Sequence, residues 1–310
     1  MLEKINWPGG KDFAFTIFDD TDYAYRDNIA DIYSFLNDLG MRTTKSVWPL
    51  KGKDKPLCEG ATCEDKEYLQ WLWELKKQGF EIGYHMTTYH TSRRKETIEG
   101  LTRFKQLFDD YPKTMANHSG CRENIYWGSH RLSGFNRLLY NLMTRFRYNS
   151  QYRGHIESDE LFWGDLCRET VKYVRNFVFD DINTLKACPY MPYHDDTRPY
   201  VRYWFASSEG PEIKSFNQTL SEQNQDRLEQ ENGACIMYTH LACGFYENGV
   251  INSRFKELMI RLSKKNGWFV PVGTLLDFLL EYKGKAEINK KQKKRLERDW
   301  LKHKIKVGRS

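Results

Sequence analysis

The stretch "FAFTIFDDTDYAY", residues 13–25, opens as an apolar run and then sets three carboxylates, Asp19, Asp20 and Asp22, within four residues. The run reads as a buried strand. Adjacent carboxylates repel one another, and a buried carboxylate without a partner is costly, so such a cluster persists when it is solvated, paired or bound to a cation. An Asp-rich turn can also simply cap the helix that follows. Which of these applies depends on what the rest of the chain brings to the same place.

Outward from this strand, short apolar segments alternate with longer amphipathic ones, the pattern of an α/β protein with parallel strands. Strands are expected at 13–18, 43–48, 80–85, 114–119, 146–152, 175–180, 201–206, 234–240 and 268–272. Between them lie helical patterns such as "NIADIYSFLNDLG", where Ile29, Ile32, Tyr33, Leu36 and Leu39 share a face before Gly40 ends the helix. Seven or more such units without a Gly/Ser linker predict one closed or nearly closed barrel. Residues 151–200, aromatic and irregular in period, read as an insertion or a distorted segment.

The 310-residue chain is 40% hydrophobic and 15% aromatic, which fits a folded globular protein and no disorder class. The N-terminus lacks the apolar core of a signal peptide, and no run is long enough to span a membrane, so a cytoplasmic protein is expected. Seven scattered cysteines suit reduced thiols better than a disulfide framework. Cys58 and Cys63 in "CEGATC" could bind a metal, although no second pair has finger-like spacing. The net charge of +6 is a property of the tail: residues 285–310 carry +8 and residues 1–284 carry −2. Two parts are therefore expected, a barrel over 1–284 and a basic amphipathic tail over 285–310. With Trp300, Leu301 and Ile305 on it, the tail could be a solvated helix or lie on an anionic membrane face. Nucleic acid is the weakest reading, since no aromatic-rich binding motif accompanies the charge.

In a parallel α/β barrel the active site lies at the carboxyl ends of the strands. Polar residues collect there: the three aspartates after the first strand, His85 and His90 after "FEIGY", Asn117 and His118 after "TMA", Asp180 and Asp181 after "VRNFVF", and His240 after "ACIMYT". A carboxylate with two imidazoles is a donor set for Zn²⁺ or a similar divalent ion. Such an ion acidifies a water, a free carboxylate takes its proton, and a histidine opposite protonates the leaving group.

"TIFDDTD", "GFEIGYHMTTYH" and "MYTHLACGF" resemble, in order and spacing, three blocks of the polysaccharide deacetylase superfamily, the NodB-homology carbohydrate esterases. The similarity runs over about residues 12–280. It implies an α/β fold, a distorted (β/α) barrel of about seven parallel strands, here with a basic C-terminal helix. It also implies metal-dependent removal of an N-acyl or O-acyl group from a sugar. By this resemblance Asp19 is the catalytic base, Asp20, His85 and His90 are metal ligands, and His240 is the general acid. The family's base-orienting Arg finds its nearest match in Arg122, and the Asp that tunes the acid in Asp180 or Asp181. Tyr126, Trp127 and Trp163 are candidates for the sugar site.

The family's two ligand histidines usually stand four apart, whereas "HMTTYH" separates them by five, so His118 is an alternative to His90. His155 and His194 are read as surface residues. The implied cofactor is a divalent cation, Zn²⁺ first, with Co²⁺ or Mn²⁺ as alternatives. The implied partners are an acylated sugar, a nucleotide-sugar or a lipid-linked sugar in polysaccharide or glycolipid biosynthesis. The altered second and third blocks also admit a catalytically silent barrel that binds a glycan or a protein partner.

Overall fold

The computed structural model describes residues 4–53, 56, 58–284 and 286–307. Seven parallel strands run in chain order: β1 (Phe13–Asp19), β2 (Thr44–Val47), β3 (Glu81–Tyr84), β4 (Thr114–Met115), β5 (Tyr173–Phe179), β6 (Tyr203–Glu209) and β7 (Ala234–Thr239). Pairing of Ala14–Asp19 with Ala234–Thr239 closes them into a barrel. After a small hairpin, β8 (Tyr246–Glu247) and β9 (Val250–Ile251), comes β10 (Gly267–Phe269), which pairs with Phe13–Phe15 at the start of β1. β2 meets β1 only at Phe18–Asp19. β10 and β2 therefore divide one edge of β1 between them, which distorts the barrel at that seam. The expected fold class is the observed one.

Along β1 the side chains alternate. Phe13, Phe15, Ile17 and Asp19 face the helical layer, where Phe13 meets Phe269 edge-on and Asp19 meets Tyr33 of the helix Arg26–Asp38. Ala14, Thr16, Phe18 and Asp20 face the interior, where Phe18 lies near Phe205 and Arg175. Both sets are buried, as expected where helices cover the outside of a parallel sheet. Gly40 sits at φ 71° just beyond the helix Arg26–Asp38, a left-handed turn that glycine adopts without strain.

Eight of the nine expected strands coincide with observed ones, allowing for boundaries. The strand expected at 146–152 does not form: Arg145 and Phe146 adopt φ of 49° and 60°, left-handed conformations that interrupt an extended run, and Phe146 N–H closes a turn onto Asn141. The irregular region after it holds the helix Gly164–Thr170 and all of β5.

The basic tail is docked on the barrel. Gly284, at φ 65°, ends the helix Val272–Lys283, and Asn289 caps the helix Lys290–Val307 by accepting from the N–H groups of Lys291 and Gln292. Buried Glu297 accepts hydrogen bonds from Ser133 and Asn136, and Lys293 pairs with Asp195 at 2.8 Å. Trp300 and Leu301, the apolar residues considered for a membrane face, are buried in the protein, while Ile305 is exposed. Among the described residues no helix is long and apolar enough to cross a membrane.

Candidate active site

The end of β1 sends its two adjacent aspartates to opposite sides of the barrel wall. Asp19 is fully buried in the outer layer, where its carboxylate pairs with Lys45 Nζ at 3.1 Å and accepts from Tyr33 Oη at 3.0 Å and Leu241 N–H at 2.9 Å. Asp20 points into the barrel and receives both Nη groups of Arg175 on β5, at 2.9 and 2.5 Å. Two residues on, Asp22 reaches the same mouth and stands at the centre of three imidazoles.

His118 Nε2 lies 2.9 Å from Asp22 Oδ1, and His240 Nε2 lies 2.9 Å from Oδ2. His85, directly after β3, presents Nε2 to Asp22 at 3.7 Å and Nδ1 to Asp20 at 3.9 Å. These separations are too long for hydrogen bonds, and among the described residues neither ring nitrogen of this buried histidine has a hydrogen-bond partner. Cys58 adds a thiol, with Sγ 3.2 Å from Asp22 Oδ1 and 3.0 Å from His118 Nε2. Trp48 stands edge-on to His118 and beside His85, forming a wall behind both rings.

The charges follow from this packing. Burial alone would raise the Asp22 pKa, but hydrogen bonds from His118 and His240 outweigh it and hold the carboxyl well below its usual range. Burial likewise disfavours a charged His240, yet its hydrogen bond to Asp22 prevails and carries the imidazole up to about 9. The other ring nitrogen of His240, Nδ1, lies 2.9 Å from the Pro211 carbonyl, which fixes the ring. Burial dominates at His85 and draws its pKa down, so this ring is neutral, the form that ligates metals.

Asp22, His85 and His118 bring one oxygen and two nitrogens within 4.8 Å of one another, and Asp20, Asp22 and His240 form an overlapping group. A carboxylate, two imidazoles and a nearby thiol suit a divalent ion of the zinc type. The unpartnered nitrogens of His85 are what such a site predicts, because a buried ring nitrogen is otherwise almost always hydrogen-bonded. The group opens into a cavity of ≈ 390 Å³ whose walls include Trp127, Tyr238 and, from the tail helix, Trp300. A second cavity of ≈ 410 Å³ lies beneath the tail helix at Asp180 and His303 and shares no lining residue with the first.

No family model and no curated protein matches this sequence. Solved structures do. The chain is similar to a Mycobacterium smegmatis protein assigned as a polysaccharide deacetylase, with a TM-score of 0.51 and 10% identity over 90% of this chain and 94% of the other. It is similar as well to Puue allantoinase, with a TM-score of 0.50 and 10% identity over 89% and 93% of the two chains. The fold is the NodB-like (β/α)₇ barrel.

Within this NodB-like barrel the expected site residues divide into two groups. Asp20, His85, His240 and Trp127 line the cavity. Asp19 does not, because strand alternation turns it outward onto Lys45. His90 is held away: its Nε2 accepts from Lys53 N–H at 2.8 Å, its Nδ1 lies 3.0 Å from the Thr91 carbonyl, and its ring packs on Gly52 where a Cβ would stand 2.4 Å from it. His118, the alternative, joins Asp22 and His85 instead. The extra residue in "HMTTYH" is absorbed by a loop in which Met86 has φ 68°.

Arg122 is exposed and held by its backbone to Thr91, far from the role of orienting a carboxylate, which Arg175 performs. Asp180 is half-exposed beside His303 in the second cavity and makes no contact with His240 among the described residues. Tyr126 packs under His155 and Tyr200, and Trp163 is fully buried with its Nε1 donating to the Glu123 carbonyl; neither lines the active cavity. His155, expected at the surface, is buried between Tyr126 and His130.

Arg175 and Asp22 as the hub escaped the sequence reading, while Cys58, considered there with Cys63 as a possible metal ligand, lines the cavity without Cys63. Arg175 left a signal in "YVRNFVF", a lone cation inside a strand covered on both faces, since a buried guanidinium needs a carboxylate partner.

Proposed function

We propose that the protein is a metal-dependent deacylase acting on an acylated amino sugar. The observation that supports this most is His85, buried with both ring nitrogens unpartnered, set between Asp22, His118 and the Arg175-bound Asp20. Asp22, His85 and His118 would hold the cation, with Cys58 in reach as a further donor. A divalent ion there supplies Lewis acidity to an acyl carbonyl and lowers the pKa of a water.

The chain's own groups supply the proton transfers. Asp20 faces the cavity with its carboxylate fixed by the two-pronged Arg175 contact, and takes the proton of the water as it adds to the acyl carbon. His240, held through Nδ1 on Pro211 and protonated at neutral pH, gives its Nε2 proton to the departing nitrogen as the C–N bond breaks. Acetyl and formyl amides, and O-acyl esters with an oxygen leaving group, pass through the same steps. The resemblance of the sequence blocks and the shared fold with a protein assigned as a polysaccharide deacetylase both support a sugar substrate. So do the indole faces of Trp127 and Trp300 on the cavity wall, which suit stacking on a sugar ring. In this reading the base and ligand of the family's first block are shifted from Asp19 and Asp20 to Asp20 and Asp22. A nucleotide-linked or lipid-linked sugar of polysaccharide or glycolipid biosynthesis is the substrate we favour.

Release of acetate or formate from a panel of N-acylated nucleotide sugars by the Zn²⁺- or Co²⁺-loaded protein tests the proposal. Asp20→Asn should lower turnover by about 10²–10⁴-fold, the usual contribution of a positioned general base. Undiminished turnover in that variant would refute the assigned chemistry.

A further inference from the structure

The cavity has a second charged end that the proposed hydrolysis leaves unused. Arg131, the last residue of the short 3₁₀ helix Gly128–Arg131, lines the same cavity as the aspartates and histidines yet is only 4% exposed. Its guanidinium carbon sits 3.6 Å from the Trp127 ring centroid and 4.8 Å from that of Trp300. Among the described residues no carboxylate pairs with it, its Nε has no hydrogen-bond partner, and Nη1 has only a long contact of 3.5 Å to the Asn176 carbonyl. Burial draws its pKa down only to about 10, so it is charged at neutral pH.

Burying a cation without a counter-charge is costly, and stacking on indoles offsets only part of that cost. The other buried cations near the barrel mouth are matched: Arg175 has Asp20 and Lys45 has Asp19. Arg131 therefore stands out as a site whose counter-charge comes from outside the chain. Lys304 of the tail helix lines the same cavity, with Nζ 5.8 Å from the Trp300 ring centroid, which places two cations around one indole. A guanidinium presents donors in a planar fork that fits the oxygens of a phosphoryl or carboxylate group.

We propose that Arg131, between Trp127 and Trp300, is an anion subsite, so that the molecule entering the cavity carries a phosphoryl or carboxylate group beyond the end that meets Asp22 and His85. The inference rests on the deacylase reading for the identity of that molecule but not for the subsite itself. The tail helix then has a role in the site: it supplies Trp300 and Lys304 to the wall that receives the anion.

Isothermal titration of the full chain with inorganic phosphate, with glucuronate and with neutral glucose tests this. At least one anion should bind, and Arg131→Gln should weaken it by about tenfold or more, the scale of one charge-assisted hydrogen bond. Arg131→Lys, which keeps the charge, should weaken it less, and any response to glucose should be the same in all three proteins. Preference for phosphate over glucuronate would identify a phosphoryl group as the ligand, and the reverse a uronate. The loss of affinity caused by Arg131→Gln should be the same whether or not the protein has been treated with a chelator. Failure of the metal reading therefore leaves this result standing. The inference is overturned if the wild-type protein binds neither anion, if Arg131→Gln binds as well as wild type, or if chelator treatment abolishes binding and Arg131→Gln does not.

Discussion

Asp20 and Arg175 are joined by two parallel hydrogen bonds, Nη1 to Oδ1 at 2.9 Å and Nη2 to Oδ2 at 2.5 Å, with both side chains almost fully buried. Arg175 is held in turn above the rings of Tyr238 and Phe18, at 4.3 and 5.2 Å. The pair bridges β1 and β5 across the barrel and sets the direction of the carboxylate that faces the cavity.

Removing one member of such a pair strands the other. Arg175→Met should destabilise the fold by about 3–5 kcal/mol, because Asp20 is left buried and uncompensated. Adding Asp20→Asn to it should recover part of that loss. Urea denaturation of the two single variants and the double variant measures the coupling, and simple additivity would show that the pair does not act as a unit.

Asp19 and Asp20 are neighbours with separable duties. Asp19→Asn should cost stability, since Lys45 loses its counter-charge, while turnover per folded molecule stays within about tenfold of wild type; Asp20→Asn, which also costs stability by weakening the Arg175 pair, should in addition lower turnover per folded molecule by about 10²–10⁴-fold. Denaturation midpoints and kcat for both variants decide this. A silent Asp20→Asn beside an inactive, stably folded Asp19→Asn would restore the first aspartate as the base.

Glu123 gives the molecule a pH-dependent stability. Burial pushes its carboxyl up to about 8, above the ordinary value of 4.5 that it regains on unfolding. Between these values the folded state holds more protons than the unfolded one, so stability falls as pH rises through that window, by an amount on the order of a few kcal/mol. Glu123→Gln should narrow the gap between urea midpoints measured at pH 5.5 and pH 8.5. Parallel pH profiles for the two proteins would remove Glu123 as the cause.

The barrel was legible in the sequence because its strands are short, apolar and regularly spaced, and because Gly40 punctuates where a helix must end. The strand at 146–152 was misread because an apolar and aromatic run carries no mark of the left-handed residues Arg145 and Phe146. The site was legible as a set of strand ends, since polar residues after buried strands stand out wherever they fall. Which member of each set turns inward was not. "FAFTIFDD" is apolar on both faces, so nothing in it says that Phe18 and Asp20, rather than Ile17 and Asp19, see the interior. The choice between His90 and His118 likewise depends on the fit of a ring against Gly52, a contact between segments 38 residues apart in sequence. The tail misled for a related reason: its charge is visible in sequence, but burial of Trp300 against Arg131, Tyr140 and Phe177 is a tertiary fact.

The central claim is that Asp22, His85 and His118 together hold a divalent cation. Metal content of the untagged protein, purified without added metal, tests it most directly when read beside Asp22→Ala, His85→Ala, His118→Ala and His90→Ala. The account predicts near-stoichiometric divalent metal in the wild type and in His90→Ala, and its loss in the other three. Absence of metal from a folded wild-type sample even after loading with Zn²⁺, Co²⁺ or Mn²⁺, or its loss in His90→Ala with retention in His118→Ala, would contradict it.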